Sequence, residues 1–435
     1  MHRLDKAQMV KAILLVGAAL GFFTCSGDEL QWYKGNIHTH TFWSDGDDFP
    51  EMVVDWYKNH GYDFLVLSDH NILSRGEKWK ALRADQANVA IYKAEKRWGR
   101  RHVRTRIVDG AKEVRLLPLN EVRDLLEEPG KFIMIEGLEM TTSREGLAVH
   151  TNPMNVSELL SVERQSKRSV EQELEIHSHL VNGHSRATGK PVFWQVNHPN
   201  FKFSITGEQM ADLELLDGVE IMNSSSNCYN LGDGSRPSVE RVWDIANTIR
   251  LKSEGLPPIF GTATDDTHNY HRENPVVNGP GTAWVMVRAK SLTADSITRA
   301  MKEGDFYSST GVVLKRLDFS PLYKTFTVEV DAEPGVQYEI EFKGSLSKVS
   351  IAHEHVPDVV DEKGIEHPVT ANYLDHNIGK TFMSKKGTGA TYRLKGNELF
   401  VRAVVHSNAS PYFKYDEYSD FEKKAWTQPV GWKID

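Results

Sequence analysis

Apolar and polar positions divide the chain into three textures. Between residues 30 and 311, short apolar runs that end in polar residues alternate with segments of helical period. The runs at 63–70, 131–139, 191–199, 218–223 and 258–268 read as buried strands, and a strand at 306–309 closes the region. Helical spacing is visible at 50–60, with Met52, Val53, Trp56 and Tyr57 on one face. It returns at 162–182, at 294–303 and at 238–254, where Val239, Val242, Trp243, Ala246 and Ile249 point inward. Strand and helix in alternation predict an α/β architecture, a parallel barrel or sheet. One stretch breaks this rhythm. Residues 72–130 carry a basic helix near 92–101, a hairpin with strands at 103–108 and 113–117 around Asp109-Gly110, and a helix at 120–128. This reads as an insertion between two core strands. From about residue 312 the pattern changes to period two, at 326–330, 338–342 and 400–405, and predicts a C-terminal β-sandwich over 312–435.

The first 27 residues form a separate texture. His2, Arg3, Lys6 and Lys11 precede an apolar run from Ala12 to Phe23 that is short for a membrane span. Cys25 follows at once, then Ser26-Gly27-Asp28-Glu29. The arrangement resembles a bacterial lipoprotein signal, which implies a lipidated Cys25, with plain secretion as the alternative. The mature protein is expected in the periplasm or on the cell surface, touching a membrane only through that anchor.

Composition narrows the rest. The length of 435 residues is too great for one ordinary domain, and a net charge of −8 provides no footprint for duplex nucleic acid. With two cysteines, Cys25 and Cys228, a disulfide scaffold and a cysteine-rich zinc module are both excluded. The eighteen histidines matter through where they fall. His38 and His40 alternate on an extended segment and so share a side. Asp45, His70, Glu139, His150, His198, Asp266 and His268 each lie at or just past an expected strand end. In a barrel, residues at the carboxyl ends of strands converge on one mouth. Neutral imidazoles and carboxylates in that number are ligands for Zn, Mn or Fe ions.

Glu220, which ends a strand, is expected to support the site from behind, and Asp69 and Asp265 to orient neighbouring histidines. Arg75, His271 and Arg272 follow ligand segments and are candidates for holding a substrate anion. The run Arg97, Arg100, Arg101, Arg104 and Arg106 reads as a solvated face, and the second H-x-H, His353 and His355, lacks carboxylate partners.

His38-Thr39-His40, Ser44-Asp45-Gly46, Ser68-Asp69-His70, Gly137-Leu138-Glu139, Asn197-His198-Pro199 and Asp266-Thr267-His268, in that order, resemble the motifs of the PHP (polymerase and histidinol phosphatase) superfamily. The likeness covers roughly residues 32–310. Glu127-Glu128-Pro129-Gly130-Lys131-Phe132 and Lys424-Ala425-Trp426-Thr427-Gln428-Pro429-Val430 look like its carbaryl-hydrolase-like branch. The resemblance implies a distorted (β/α)7 TIM-like barrel holding two or three divalent metal ions. By motif, His38, His40, Glu139 and Asp266 would hold the first ion. Glu139 would share the second with His150 and His198, and Asp45, His70 and His268 would hold the third.

The implied activity is hydrolysis by a metal-bridging hydroxide, first of all of a small anionic phosphoester, with Asp266 and His268 as candidates for proton transfer. Hydrolysis of a carboxylic ester, carbamate or amide is the alternative, as is a 5′-3′ exonuclease-like nucleotide phosphodiesterase. A metal-containing surface binding lipoprotein is the non-enzymatic reading.

Overall fold

The structure is a computed structural model that describes residues 30–82, 84–162, 168–225, 227–271, 279–410 and 422–432. Residues 1–29, on which the expected leader and Cys25 fall, therefore lie outside the described residues. No helix among the described residues is long and apolar enough to cross a membrane.

Strand β1 (Gln31–Asn36) is followed by helix α1 (Pro50–Asn59), which starts on a proline whose missing N–H costs nothing in the first turn. β2 (Phe64–Leu67) then pairs with β1 in parallel. At that contact Gly35 lies opposite Phe64, and a Cβ on Gly35 would stand 2.2 Å from the Phe64 ring, so only glycine admits the ring there. The insertion follows: β3 (Lys78–Ala81), α2 (Ala84–Trp98), β4 (Thr105–Val108), β5 (Ala111–Leu116) and α3 (Leu119–Leu126). Its strands form a separate antiparallel sheet in the order β3-β5-β4. The expected hairpin is present, turned by Asp109 and Gly110 at positive φ, and β3 is an additional strand on its flank.

β6 (Ile133–Glu136) returns to the core parallel to β2. β7 (Met140–Arg144) and β8 (Leu147–Met154) form a hairpin turned by Glu145 and Gly146, and β8 runs antiparallel to β9 (Phe193–Val196). Between them α4 (Val170–Thr188) starts later than its periodicity suggests. Ser169 and Gln172 form a capping box there, and Gly189 in the left-handed conformation ends the helix. α5 (Gly207–Ala211), β10 (Gly218–Asn223), α6 (Val239–Ile249) and β11 (Phe260–Thr264) complete a five-stranded sheet, β11-β10-β9-β8-β7.

β12 (Trp284–Ala289) falls where the sequence pattern gave no element and pairs antiparallel with β1. α7 (Ala294–Lys302) and β13 (Phe306–Ser309) follow, close to their expected limits. The two sheets meet at both seams through isolated bridges. Thr39 pairs with Thr267 on one side and Gly137 with Met154 on the other, while His70 with Glu139 prolongs the β2–β6 pairing. The result is mixed α/β, with antiparallel pairs among the parallel ones expected.

The C-terminal region is all β among its described residues. β14 (Leu314–Ser320), β15 (Thr325–Val330) and β22 (Gly389–Arg393) make one sheet. Four two-residue strands, β17 (His353–Glu354), β18 (Val359–Val360), β19 (Glu366–His367) and β20 (Asn372–Tyr373), pair as β17 with β20 and β18 with β19. The remaining strands, β16 (Tyr338–Leu346), β21 (Lys380–Lys386), β23 (Glu398–Ser407) and β24 (Lys424–Thr427), belong to a larger sheet. Its order is β21-β16-β23-β24-β13-β12-β1-β2-β6. Thus β24 pairs with β13, and β16, β21, β23 and β24 extend the first sheet while β14, β15 and β22 form a sheet of their own. One core cluster joins Tyr307 of β13 to Phe326, Phe342, Tyr392 and Val405. Arg402, fully buried on β23, donates to both carboxylate oxygens of Asp244 on α6 at 2.7 Å and to Glu240 at 2.9 Å.

A candidate metal centre at the strand ends

Beyond Asn36 the chain stays extended, and the two-residue period places His38 and His40 on one side with their Nε2 atoms 3.1 Å apart. Asp45 lies in the loop that follows. His70 and Glu139 face each other across the bridge that prolongs the β2–β6 pairing. His150 is mid-strand in β8, brought to the same mouth because β8 runs antiparallel to β9. His198 follows β9 and Asp266 follows β11, each at positive φ, 25° and 48°. Such conformations are costly for residues with a Cβ and are retained where the surroundings enforce them.

All nine expected ligands converge. They fall into four overlapping groups whose ligand atoms lie within 4.8 Å of one another. These are His40, Asp45, His70 and His268; His38, His40 and Glu139; His38, His198 and Asp266; and Glu139, His150 and His198. His38, His40, His198 and Glu139 each belong to two groups, and Glu139 is the one carboxylate so shared. Its oxygens stand 2.6 Å from His70 Nδ1, 3.0 Å from His150 Nδ1, 3.4 Å from His198 Nε2 and 3.5 Å from His40 Nε2. Asp266 Oδ1 lies 3.1 Å from His40 Nε2 and 3.3 Å from His38 Nε2. Asp45 is 3.3 Å from His268 Nε2 and 3.5 Å from His70 Nε2, and its side chain is exposed at the open end.

The outward-facing nitrogens are fixed by the protein. Glu220 Oε1 accepts from His38 Nδ1 at 2.6 Å, which leaves the Nε2 lone pair turned inward. Glu220 itself is fully buried and accepts from Gln195 Nε2, Thr264 Oγ1, Asn223 Nδ2 and the His198 N–H. His268 Nδ1 donates to the Asp266 carbonyl at 2.8 Å. Asn197 Nδ2 donates to Glu139 Oε1 at 2.9 Å.

Charge in the cluster is strongly polarised. Burial opposes a charged His38, yet Asp266, Glu220 and Glu139 outweigh it and raise its pKa well above the usual imidazole value. His70, also against burial, is raised to about 11 by Glu139 and Asp45, and His268 to about 9 by Asp45 and Asp266. His40 is pushed down to about 3 by burial and by its neighbours His268 and His70. Glu139 and Asp266 are held far below the usual carboxylate range by the surrounding histidines, again against burial. The carboxylates thus stay ionised, balanced by the raised histidines His38, His70 and His268.

The donor set fits divalent cations on a further ground. Glu139 Oε2 and His150 Nδ1 are buried and make no aligned hydrogen bond, although other nitrogen and oxygen atoms stand close to both. Close approach without hydrogen-bond alignment is expected of lone pairs aimed at a shared centre, and the mix of imidazole and carboxylate suits Zn, Mn or Fe.

Other sequence-derived candidates fall differently. Asp69 and Asp265 do not orient histidines. Asp69 accepts from the backbone and hydroxyls of Thr41 and Ser44, and Asp265 from Asn36, Tyr57 and the segment 281–283. Both fasten loops. Arg75 is held by a two-pronged pair with Glu136, at 2.7 and 2.5 Å. The two nitrogens of His271 meet the Asp47 carbonyl and Lys93. Neither Arg75 nor His271 joins the ligand groups, and Arg272 lies outside the described residues. His353 and His355 are exposed, apart from any ligand group among the described residues. Cys228 is a buried free thiol whose Sγ donates to Asn223 at 3.3 Å. The supporting amides of Gln195, Asn197 and Asn223 were not anticipated as such, although Asn197 stands inside a quoted motif and Asn223 ends an expected strand.

No family model matches the chain, and no curated protein matches it. Solved structures do. A two-domain protein from Bacteroides vulgatus, described as containing a PHP-like metal-dependent phosphoesterase predicted from its sequence, is 12% identical. That match covers 92% of this chain and 95% of the other, with a TM-score of 0.37. A candidate metal-dependent phosphoesterase from Bifidobacterium adolescentis is 14% identical over 55% of this chain and 89% of its own, with a TM-score of 0.30. An amidohydrolase from Chromobacterium violaceum is 11% identical over 54% and 87%, with a TM-score of 0.27. At scores this low, the reading of the centre rests on its own geometry.

Proposed function

We propose that this chain is a metal-dependent hydrolase of the PHP type, acting as a phosphoesterase on a small anionic substrate. The observation that carries the reading is the convergence of nine imidazoles and carboxylates into four groups linked through His38, His40, Glu139 and His198, with Glu139 the one carboxylate common to two of them. Glu139 would link neighbouring ions, with His38, His40 and Asp266 on one side and His150 and His198 on another. Asp45, His70 and His268, with His40, would hold a third. We read the two bridged sheets as a distorted (β/α)7 barrel whose strand ends form the mouth.

Divalent ions there would supply charge neutralisation at phosphoryl oxygens and would acidify water at neutral pH. The protein's own part is positional. Glu220 and the Asp266 carbonyl keep the His38 and His268 Nε2 lone pairs inward, so these two imidazoles are oriented before any ion arrives. Asn197 restrains Glu139. Asp266 or His268 would assist proton transfer to the leaving oxygen; His268 stands beside the exposed Asp45, and Asp266 stands behind it, 3.5 Å from His268 Nδ1.

The test is metal content by elemental analysis on protein lacking residues 1–27, beside a His38→Ala/His40→Ala variant. It is coupled to hydrolysis of a chromogenic phosphomonoester, phosphodiester and carboxyl ester. Two or three ions per chain, with phosphoester turnover lost along with them in the variant, is the expected result. A protein that stays metal-free and inert after Mn²⁺ or Zn²⁺ is supplied would overturn it.

A further inference from the structure

The candidate ligands differ in what holds them. His38, Glu139, His198 and Asp266 are braced by buried polar side chains on core strands, chiefly Glu220, Asn197 and Asn223. Asp45 and His268 sit on two surface loops that are stitched to each other. The Asp47 N–H donates to the His268 carbonyl at 3.0 Å, and the Tyr270 N–H donates to Asp47 Oδ1 at 2.7 Å.

What covers these loops is the insertion. Phe42, Trp43 and Phe49, which flank Asp45, share one hydrophobic cluster with Ile91 of α2 and Val114 and Leu116 of β5. Two lysines of β3 reach the same loop. Lys78 Nζ donates to the Trp43 carbonyl at 2.5 Å and Lys80 Nζ to the Ser44 carbonyl at 2.6 Å, the two carbonyls immediately before Asp45. Lys93 of α2 donates to the Tyr270 carbonyl at 3.0 Å and to Asp48 at 3.2 Å, tying down the other loop.

We propose that the inserted segment 72–117 is the positioning device for one ion site, that of His40, Asp45, His70 and His268, with Lys78 and Lys80 as its positioning residues. The inference rests on the metal-dependent reading above. An exposed carboxylate on an untethered loop must be ordered at the moment of binding, and that entropy weakens the site. Asp69 already fastens Thr41 and Ser44 of this loop from the core side, and fixing the two carbonyls before Asp45 removes further freedom beforehand. The ion held by Asp45 is therefore tuned separately from the ions held by the core strands.

The experiment titrates Mn²⁺ and Zn²⁺ into the metal-stripped chain by calorimetry, with elemental analysis of the loaded protein. Wild type is compared with Lys78→Met/Lys80→Met, with Lys80→Arg, which keeps a donor, and with Arg106→Gln. Arg106 lies in the same insertion, where it pairs with Glu113 and lies over the Trp79 ring, and makes no bond to the Asp45 loop among the described residues. The double variant should lose one ion per chain, or bind it roughly 10–100-fold more weakly, while keeping the others. Lys80→Arg and Arg106→Gln should titrate like wild type, and thermal melts of the stripped proteins should show all of them folded. The inference is overturned if the double variant titrates like wild type, if all sites weaken together, or if wild type shows no separate class of site. A wild-type chain that takes up no divalent ion overturns the reading of the centre itself.

Discussion

His38 Nδ1 and Glu220 Oε1 stand 2.6 Å apart, both fully buried, and this pair sets which nitrogen of His38 faces the other candidate ligands. Glu220→Gln keeps the shape but removes the charge and offers its amide in place of an acceptor. Metal affinity at the sites that include His38 should fall roughly 10–100-fold, by analogy with other partners behind metal ligands. Competition against a chromogenic chelator measures this. Unchanged affinity would mean that the His38 tautomer is set elsewhere.

Asp48 reports on the interface between the insertion and the Asp45 loop. Burial raises its carboxyl to about 7, despite the opposing effect of Lys93. The folded pKa lies above the unfolded one, so folding takes up a proton between about pH 4 and 7. Stability linked to Asp48 is thus greatest at low pH and declines as pH rises through 7. Relative to wild type, Asp48→Asn should gain in melting temperature from pH 5 to pH 8 and level off above. A difference independent of pH would show that Asp48 titrates normally.

Arg402 carries the electrostatic link between α6 and β23. Arg402→Met leaves the buried Asp244 without its cation, a situation that costs about 3–5 kcal/mol, while the part-exposed Glu240 keeps Lys343 at 3.0 Å. Chemical denaturation should show a lower midpoint. The triple change Arg402→Met, Asp244→Leu, Glu240→Gln should recover part of it, because no buried charge is then stranded.

Truncation after residue 311 removes β24 from the edge of β13 and uncovers Tyr307, which is fully buried. The remaining chain should aggregate or bind a hydrophobic dye at room temperature. A soluble, cooperatively melting 30–311 fragment would show that the two regions are independent.

The site was more legible than the topology, for a physical reason. Most candidate ligands stand at a local boundary, where an apolar run meets a polar residue, and such boundaries are visible within ten residues of sequence; His150, mid-strand in β8, is the exception. Glu220 shows the limit: its place at a strand end was readable, but its bond to His38 crosses 182 positions. Asp69 and Asp265 adjoin ligands in sequence, yet their oxygens point at loop backbone, which adjacency does not reveal. β12 reads Trp-Val-Met-Val-Arg-Ala, a sound alternating strand, but it breaks the strand-helix rhythm and pairs antiparallel. The turn at Glu145-Gly146 is a local hairpin signal that the alternating reading passed over. The continuity of the large sheet depends on β13 meeting β24, a long-range pairing with no local signature.

That last pairing orders events in time. A chain synthesised or threaded through a pore from its N-terminus presents β13 well before residues 424–427 emerge. Until they do, one edge of the sheet has open backbone donors and acceptors, a template for wrong partners. Closure of the β13–β24 seam is a late step, and a nascent chain stalled before it would need a chaperone to keep that edge from pairing elsewhere.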